Sequence, residues 1–160
     1  MKKRMALFPG SFDPFTNGHR EVVFDALSLF DVVVIAVGEN SKKSSMFSAE
    51  ERREMIQETF MGYPVEAHIF SGLVADYAQK IGVKALVRGL RTESDFSYEM
   101  PMAITNRILA KNLQTIFLPT SQENHYLSST LVKEVFLHGG DVSAFVPESV
   151  FKKIAALNPK

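Results

Sequence analysis

The chain has 160 residues, 46% of them hydrophobic, and its 18 basic and 18 acidic side chains leave no formal net charge. That length supports one buried core and a single domain over residues 1–160, and the balanced charge removes the long-range field a nucleic-acid binder uses, so any anion must be gripped locally. The absence of cysteine excludes disulfides, thiolate metal sites and a cysteine nucleophile, and it fits a reducing compartment, with the cytoplasm as the default. The start MKKRMALFPG is basic, but its apolar stretch covers only residues 5–8 before Pro9 and Gly10, so it reads as a strand rather than an export signal. No apolar run approaches the ~18 residues of a membrane span.

In chain order, the first strand is expected over residues 5–8. The stretch GSFDPFTNGH that follows is longer than the roughly two to six residues usual in such a link, and long links are usually functional. A helical pattern then runs through Val22, Val23, Ala26, Leu27 and Phe30, ahead of a second strand over residues 32–37. Ser48 and Glu51 form a capping box for a helix with Met55, Ile56 and Phe60 on its apolar face. A third strand over residues 65–70 leads to a helix with Val74, Tyr77, Ala78 and Ile81, which Gly82 ends. Strands over residues 85–87 and 115–118 follow, then a helix with Leu131, Val132, Val135 and Phe136 that Gly139 and Gly140 stop, and a closing helix over residues 147–157. This alternation of compact apolar strands and helices predicts an α/β fold: a doubly wound five-stranded parallel sheet with helices on both faces, with ligands gathered beyond the carboxyl ends of the strands.

Neither a G-x-G-x-x-G fingerprint nor a G-x-x-x-x-G-K-[ST] phosphate loop is present. In their place stands T-N-G-H, residues 16–19, with His19 where the first helix begins. A helix start offers unpaired N–H groups and a positive dipole end to an anion, Gly18 lets the backbone come close, and His19 adds a side-chain donor. L-S-S-T-L-V-K, residues 127–133, marks another helix start, where the hydroxyls of Ser128, Ser129 and Thr130 can cap the helix or bond phosphate oxygens. The two helix starts are expected to meet at the strand ends. Arg88 and Arg91 of R-G-L-R close the fourth strand, where guanidinium forks match phosphate geometry; the plain alternative is ion pairing with Glu93 or Asp95.

T-N-G-H early and S-S-T-x-x-K late resemble the paired motifs of the nucleotidylyltransferase superfamily. The longer set PGSFDPFTNGH, NSKKSSMF, RGLRTESDFSYEM, SSTLVKEV and GGDVSAFVPE is similar to the bacterial phosphopantetheine adenylyltransferases over essentially the whole chain. That resemblance implies a Rossmann-like enzyme joining ATP and 4′-phosphopantetheine into dephospho-coenzyme A and pyrophosphate, the penultimate step of coenzyme A synthesis. The acceptor phosphate, already largely dianionic at neutral pH, attacks the α-phosphorus directly, with no general base and no covalent intermediate. The resemblance makes His19 a transition-state stabiliser, with Lys43 and Arg91 as further catalytic cations. It places Ser11, Phe12, His19, Gly89, Leu90, Arg91, Glu99 and the run Asn124, His125, Tyr126, Leu127, Ser128, Ser129 and Thr130 against ATP. Phosphopantetheine falls to Ser11, Lys43, Leu73, Val74, Arg88, Met102, Asn106 and Glu134. Mg²⁺ is expected to arrive on the ATP phosphates and water, with no protein ligand, and the family implies a homohexamer acting on no nucleic acid and no membrane.

The chain departs from the family in three places. Ser11 stands where threonine is usual, N-S-K-K replaces N-P-x-K around Lys43, and Pro101 falls inside a segment, residues 94–110, that is one helix in the family. A proline there is expected to kink or restart the helix and to move Met102 and Asn106. Two other readings stay open at this level. One is a superfamily member acting on nicotinate mononucleotide or a polyol phosphate, against which R-G-L-R and D-F-S-Y-E-M argue; the other is a nucleotide-binding sensor without catalysis.

Overall fold

Period-two alternation along the strands decides what each face of the sheet packs against. The computed structural model describes residues 3–39 and 44–157. In order, the elements are β1 (Met5–Gly10), α1 (Asn17–Leu29), β2 (Val32–Gly38), α2 (Ala49–Thr59), β3 (Val65–Phe70), α3 (Val74–Lys80), β4 (Ala85–Leu90), α4 (Glu93–Leu109), β5 (Gln114–Pro119), α5 (Ser129–Leu137) and α6 (Glu148–Ala155). Every strand pairing is parallel and the order across the sheet is β3-β2-β1-β4-β5, so the doubly wound α/β fold holds.

Ala6, Phe8, Val33, Ile35 and Val37 face one layer, formed with Val22, Val23 and Ala26 of α1, Met55 and Ile56 of α2, Val132 of α5 and Val150 and Ile154 of α6. Leu7, Val34 and Ala36 face the other, against Ala75 and Ala78 of α3 and Ala110 and Leu113 after α4. β1 and β2 are therefore buried on both faces, as continuous apolar runs in a parallel sheet should be. Each Val, Leu, Ile or Phe among them contributes about 1.5–3 kcal/mol by leaving water.

Four of the strands run past the residues expected of them, while β3 keeps to residues 65–70, and the additions matter. β1 includes Pro9 and Gly10, and β4 includes Arg88, Gly89 and Leu90. Winding reverses between β1 and β4, which are in register only at Leu7↔Leu86. Beyond that pair the Pro9 carbonyl accepts a hydrogen bond from the Arg88 guanidinium. The crevice at this reversal is where an open α/β sheet binds ligands.

Pro101 does not break its helix, contrary to the expectation of a restart: α4 is one element from Glu93 to Leu109. The residue lacking an i+4 donor is Ser97, and both Ser97 and Pro101 are exposed, so water can take the freed carbonyl. The Pro101 carbonyl accepts the Thr105 hydroxyl at 2.9 Å.

Candidate active site

The loop after β1 turns sharply because Gly10 has no side chain. A Cβ there would stand 2.8 Å from the Phe12 ring, and Phe12 itself adopts a left-handed backbone with φ of 50°. Its buried ring packs edge-on against Phe8 and His19, each at 5.1 Å between centroids. A bulky residue held in that conformation stores strain, which clusters at functional sites.

Thr16 caps α1, and His19 completes the box. The Thr16 hydroxyl accepts the His19 backbone N–H at 3.3 Å, while His19 Nδ1 accepts the Thr16 N–H at 3.0 Å. Nδ1 is thereby fixed as the acceptor, which puts the proton of the neutral ring on Nε2. Burial among the aromatic rings, with the positive charges of Arg88 and Arg91, lowers the imidazole from 6.5 to about 3. At neutral pH His19 is therefore an uncharged N–H donor with no free lone pair for base chemistry. An unfolded chain binds a proton below pH 6.5 that the folded chain refuses, so this group lowers stability as pH falls from about 6.5 toward 3, by ~1.4 kcal/mol for each pH step of one. We expect the His19 ring signals in an NMR titration to stay neutral down to pH 5; a midpoint near 6.5 would contradict this.

His19 borders a cavity of ≈ 250 Å³ lined also by Gly10, Ser11, Phe12, Gly18, Arg88, Gly89, Arg91, Asp95, Glu99, Leu127, Ser128 and Ser129. The starts of α1 and α5 do meet at the strand ends. Two arginines enter the cavity, Arg88 from β4 and Arg91 from the residue just after it, and each is paired. Arg88 grips both Glu99 oxygens, with Nε at 2.8 Å. Arg91 grips both Asp95 oxygens at 3.0 Å and donates to the Leu127 carbonyl at 2.7 Å. Burial raises the Asp95 carboxyl, but the Arg91 hydrogen bonds outweigh it and hold the group below the usual carboxylate range. The ion pairing read as the plain alternative for Arg91 is thus present, with Asp95, and Arg88 has its own carboxylate.

A second cavity, ≈ 200 Å³, adjoins the first and shares Pro9, Gly10, Arg88 and Glu99 with it. Gly38, Phe70, Val74, Leu86, Tyr98, Met102, Ala103, Asn106 and Thr115 complete its walls, which are mainly apolar.

Of the residues expected at the site, the structure brings Ser11, Phe12, His19, Arg88, Gly89, Arg91, Glu99, Leu127, Ser128 and Ser129 to the first cavity and Val74, Met102 and Asn106 to the second. Leu90, Leu73, Glu134, His125 and Thr130 line neither cavity; the last four are exposed, and the Leu90 carbonyl is taken by Thr120. Asn124 and Tyr126 border a separate open groove beside Arg20 and Phe24. Lys43 lies outside the described residues. Two hydroxyls are already engaged: Ser128 caps α5 through the Leu131 N–H at 3.0 Å, and Ser129 donates to the Pro14 carbonyl at 2.8 Å.

Two buried charged residues went unread in the sequence. Asp13 accepts the Met46 and Phe47 N–H groups at 2.8 and 3.0 Å and Lys133 at 3.4 Å, joining the loop after β1 to the start of α2 and to α5. Arg52 donates to the carbonyls of Phe47, Ser48, Ser11 and Gly38. The only sequence signal for Asp13 was its place in the long loop, and an arginine four residues into a capped helix carries none. Among the described residues no group of three or more His, Asp or Glu side chains could hold a metal ion, and no helix is long and apolar enough to cross a membrane.

Residues 7–135 match the cytidylyltransferase-like family model. The phosphopantetheine adenylyltransferase of Arthrobacter sp. (strain FB24) is 50% identical over 156 residues, covering 96% of this chain and 97% of that protein. That of Alkaliphilus metalliredigens (strain QYMF) is 44% identical over 153 residues, 95% and 98% of the two chains. Among solved structures, the bifunctional NMN adenylyltransferase/ADP ribose pyrophosphatase from Francisella tularensis superposes with a TM-score of 0.73 at 18% identity, over 96% of this chain and 49% of that one. At that identity the superposition speaks for the fold alone.

Proposed function

The chain belongs to the phosphopantetheine adenylyltransferases, within the cytidylyltransferase-like family, and from that premise we propose how its two cavities divide the reaction. The enzyme transfers the adenylyl group of ATP to 4′-phosphopantetheine, giving dephospho-coenzyme A and pyrophosphate. One observation carries the division: a cavity rich in donors and a mainly apolar cavity meet at Gly10, Arg88 and Glu99. The first suits the triphosphate, with the N-termini of α1 and α5, the His19 Nε2–H and Arg91 facing it. The second suits the pantetheine arm along Val74, Met102 and Asn106, with its phosphate at the junction beside Arg88. Leu73 and Glu134, which line neither cavity, are kept as edges of the arm's path only by resemblance.

The acceptor oxygen attacks the α-phosphorus in line with departing pyrophosphate, without a covalent intermediate. Holding two anions at bonding distance is the main task, so donors and cations outnumber bases. His19 Nε2–H bonds the α-phosphate oxygens as charge gathers there. Ser11 flanks both substrates and Phe12, on the strained turn, lies against ATP; Lys43 is the further cation. Arg88 and Arg91 reach phosphate oxygens by sharing or exchanging their hold on Glu99 and Asp95, and a released Glu99 can accept ribose hydroxyls. Mg²⁺, held by ATP phosphates and water, would supply further charge neutralisation. We place the reaction in the cytoplasm.

Pyrophosphate release with ATP and a panel of acceptors, products weighed by mass spectrometry, tests the function. Phosphopantetheine should be the preferred acceptor by orders of magnitude; preference for nicotinate mononucleotide or a polyol phosphate would overturn it.

We further propose a homohexamer, supported by α4. That helix has no buried residue and exposes Tyr98, Ile104 and Ile108, an apolar face a lone chain leaves in water. Light scattering should give six times the mass of one chain, and Ile108→Glu a smaller species; a wild-type monomer at micromolar concentration would contradict this.

A further inference from the structure

α1 carries a carboxylate with no part in the chemistry above. Glu21, two residues beyond His19, accepts the Ser121 N–H at 2.6 Å, the Ser121 hydroxyl at 3.0 Å and the Asn124 side-chain amide at 2.5 Å. All three partners donate, which suits an ionised carboxylate, an acceptor on both oxygens. Burial pushes the Glu21 carboxyl up, but these bonds from Asn124 and Ser121 outweigh it and leave it below its ordinary value. The chain of contacts continues toward the site. The Asn124 carbonyl accepts the Leu127 N–H at 3.0 Å, and the Leu127 carbonyl accepts Arg91 at 2.7 Å. Leu127 and Ser128 then form one wall of the donor-rich cavity. Among the described residues, no other side-chain hydrogen bond joins α1 to the segment 121–127.

We propose that Glu21 is a positioning residue for nucleotide binding: by fastening Ser121 and Asn124 to α1, it sets the distance between the His19 side of the cavity and the Leu127–Arg91 side. The effect is selective. The second cavity shares no wall with the 121–127 segment, so acceptor binding does not depend on this fastening. Glu21 sits on the outer groove rather than in the core, so replacing it disturbs the loop and not the sheet. The inference rests on ATP occupying the donor-rich cavity.

Glu21→Gln puts an amide N–H₂ among three donors, so it should raise the ATP Kd, measured calorimetrically without acceptor, and the KM for ATP about tenfold. The KM for phosphopantetheine should move less than twofold. Glu21→Asp, with both acceptor oxygens but a shorter reach, should fall between Glu21→Gln and wild type. In a cycle with Asn124→Ala, the double variant should be no worse than the weaker-binding single variant, because both changes cut the same link. An ATP Kd within twofold of wild type in Glu21→Gln would overturn the proposal. So would equal rises in both KM values, the mark of general loosening, or multiplying effects in the cycle. If wild type binds ATP but releases no pyrophosphate with phosphopantetheine, the acceptor assignment fails while the ATP Kd still decides the role of Glu21. Failure to bind ATP at all would overturn both.

Discussion

His19→Ala should lower kcat by about two to three orders of magnitude, the scale of losing one preorganised donor to a developing oxyanion. Alanine leaves no side-chain N–H at this place, whereas glutamine would return one from its amide, and it also removes the acceptor that His19 Nδ1 offers the Thr16 N–H at 3.0 Å. The Thr16 hydroxyl still accepts the backbone N–H of residue 19, so helix α1 keeps half of its box, and thermal unfolding should move by only a few degrees. What is lost is the Nε2–H, fixed in that tautomer by the Thr16 bond and kept uncharged by burial and by Arg88 and Arg91. Because the donor works hardest as charge builds on the α-phosphate, the ATP KM should change much less than kcat. A kcat within threefold of wild type, about 0.65 kcal/mol, would remove His19 from the chemistry.

Arg88→Lys should raise the KM for phosphopantetheine more than that for ATP, by about 1.5–3 kcal/mol, the scale of a charged hydrogen bond. Lysine keeps the charge and loses the fork. Arg88 now holds both Glu99 oxygens and the Pro9 carbonyl at the point where β1 and β4 cease to pair, and an ammonium cannot serve all three in that geometry. Arg88→Met goes further by removing a charge that helps depress His19, so the imidazole should climb from about 3 toward its ordinary value. Both are read by steady-state kinetics with each substrate varied, and by an NMR titration of His19. A shift in the ATP constant alone would mean that Arg88 and Arg91 serve the opposite substrates.

The strands were legible because burial on both faces demands unbroken apolar runs, and Val32–Gly38 shows nothing else. The capping box of Ser48 and Glu51 was legible because it is local, with both bonds spanning three residues. The convergence of the two helix starts followed from the alternation of elements alone. Pairings that depend on sheet order were not legible. Which carboxylate Arg88 takes depends on where α4 lies over β4, and spacing favours Asp95 or Glu93 as much as Glu99. The Arg52 bonds to four carbonyls need β1, β2 and the start of α2 in one place, and no side-chain pattern encodes a backbone acceptor. The left-handed Phe12 was hidden because that conformation ordinarily selects glycine or asparagine, and the glycine that permits it is two residues earlier. Of the kink or restart expected at Pro101, the restart is absent, because Ser97 and Pro101 lie exposed on α4 and water can take the freed carbonyl while the helix runs on.

The most direct measurement turns over ATP bearing one sulfur of defined configuration at the α-phosphorus, with phosphopantetheine as acceptor, and reads the product by ³¹P NMR. Direct attack within one site predicts a single diastereomer of thio-dephospho-coenzyme A with inverted configuration. Retention would mean two displacements through a covalent adenylyl-enzyme, and no adenylylated phosphopantetheine would mean a different acceptor.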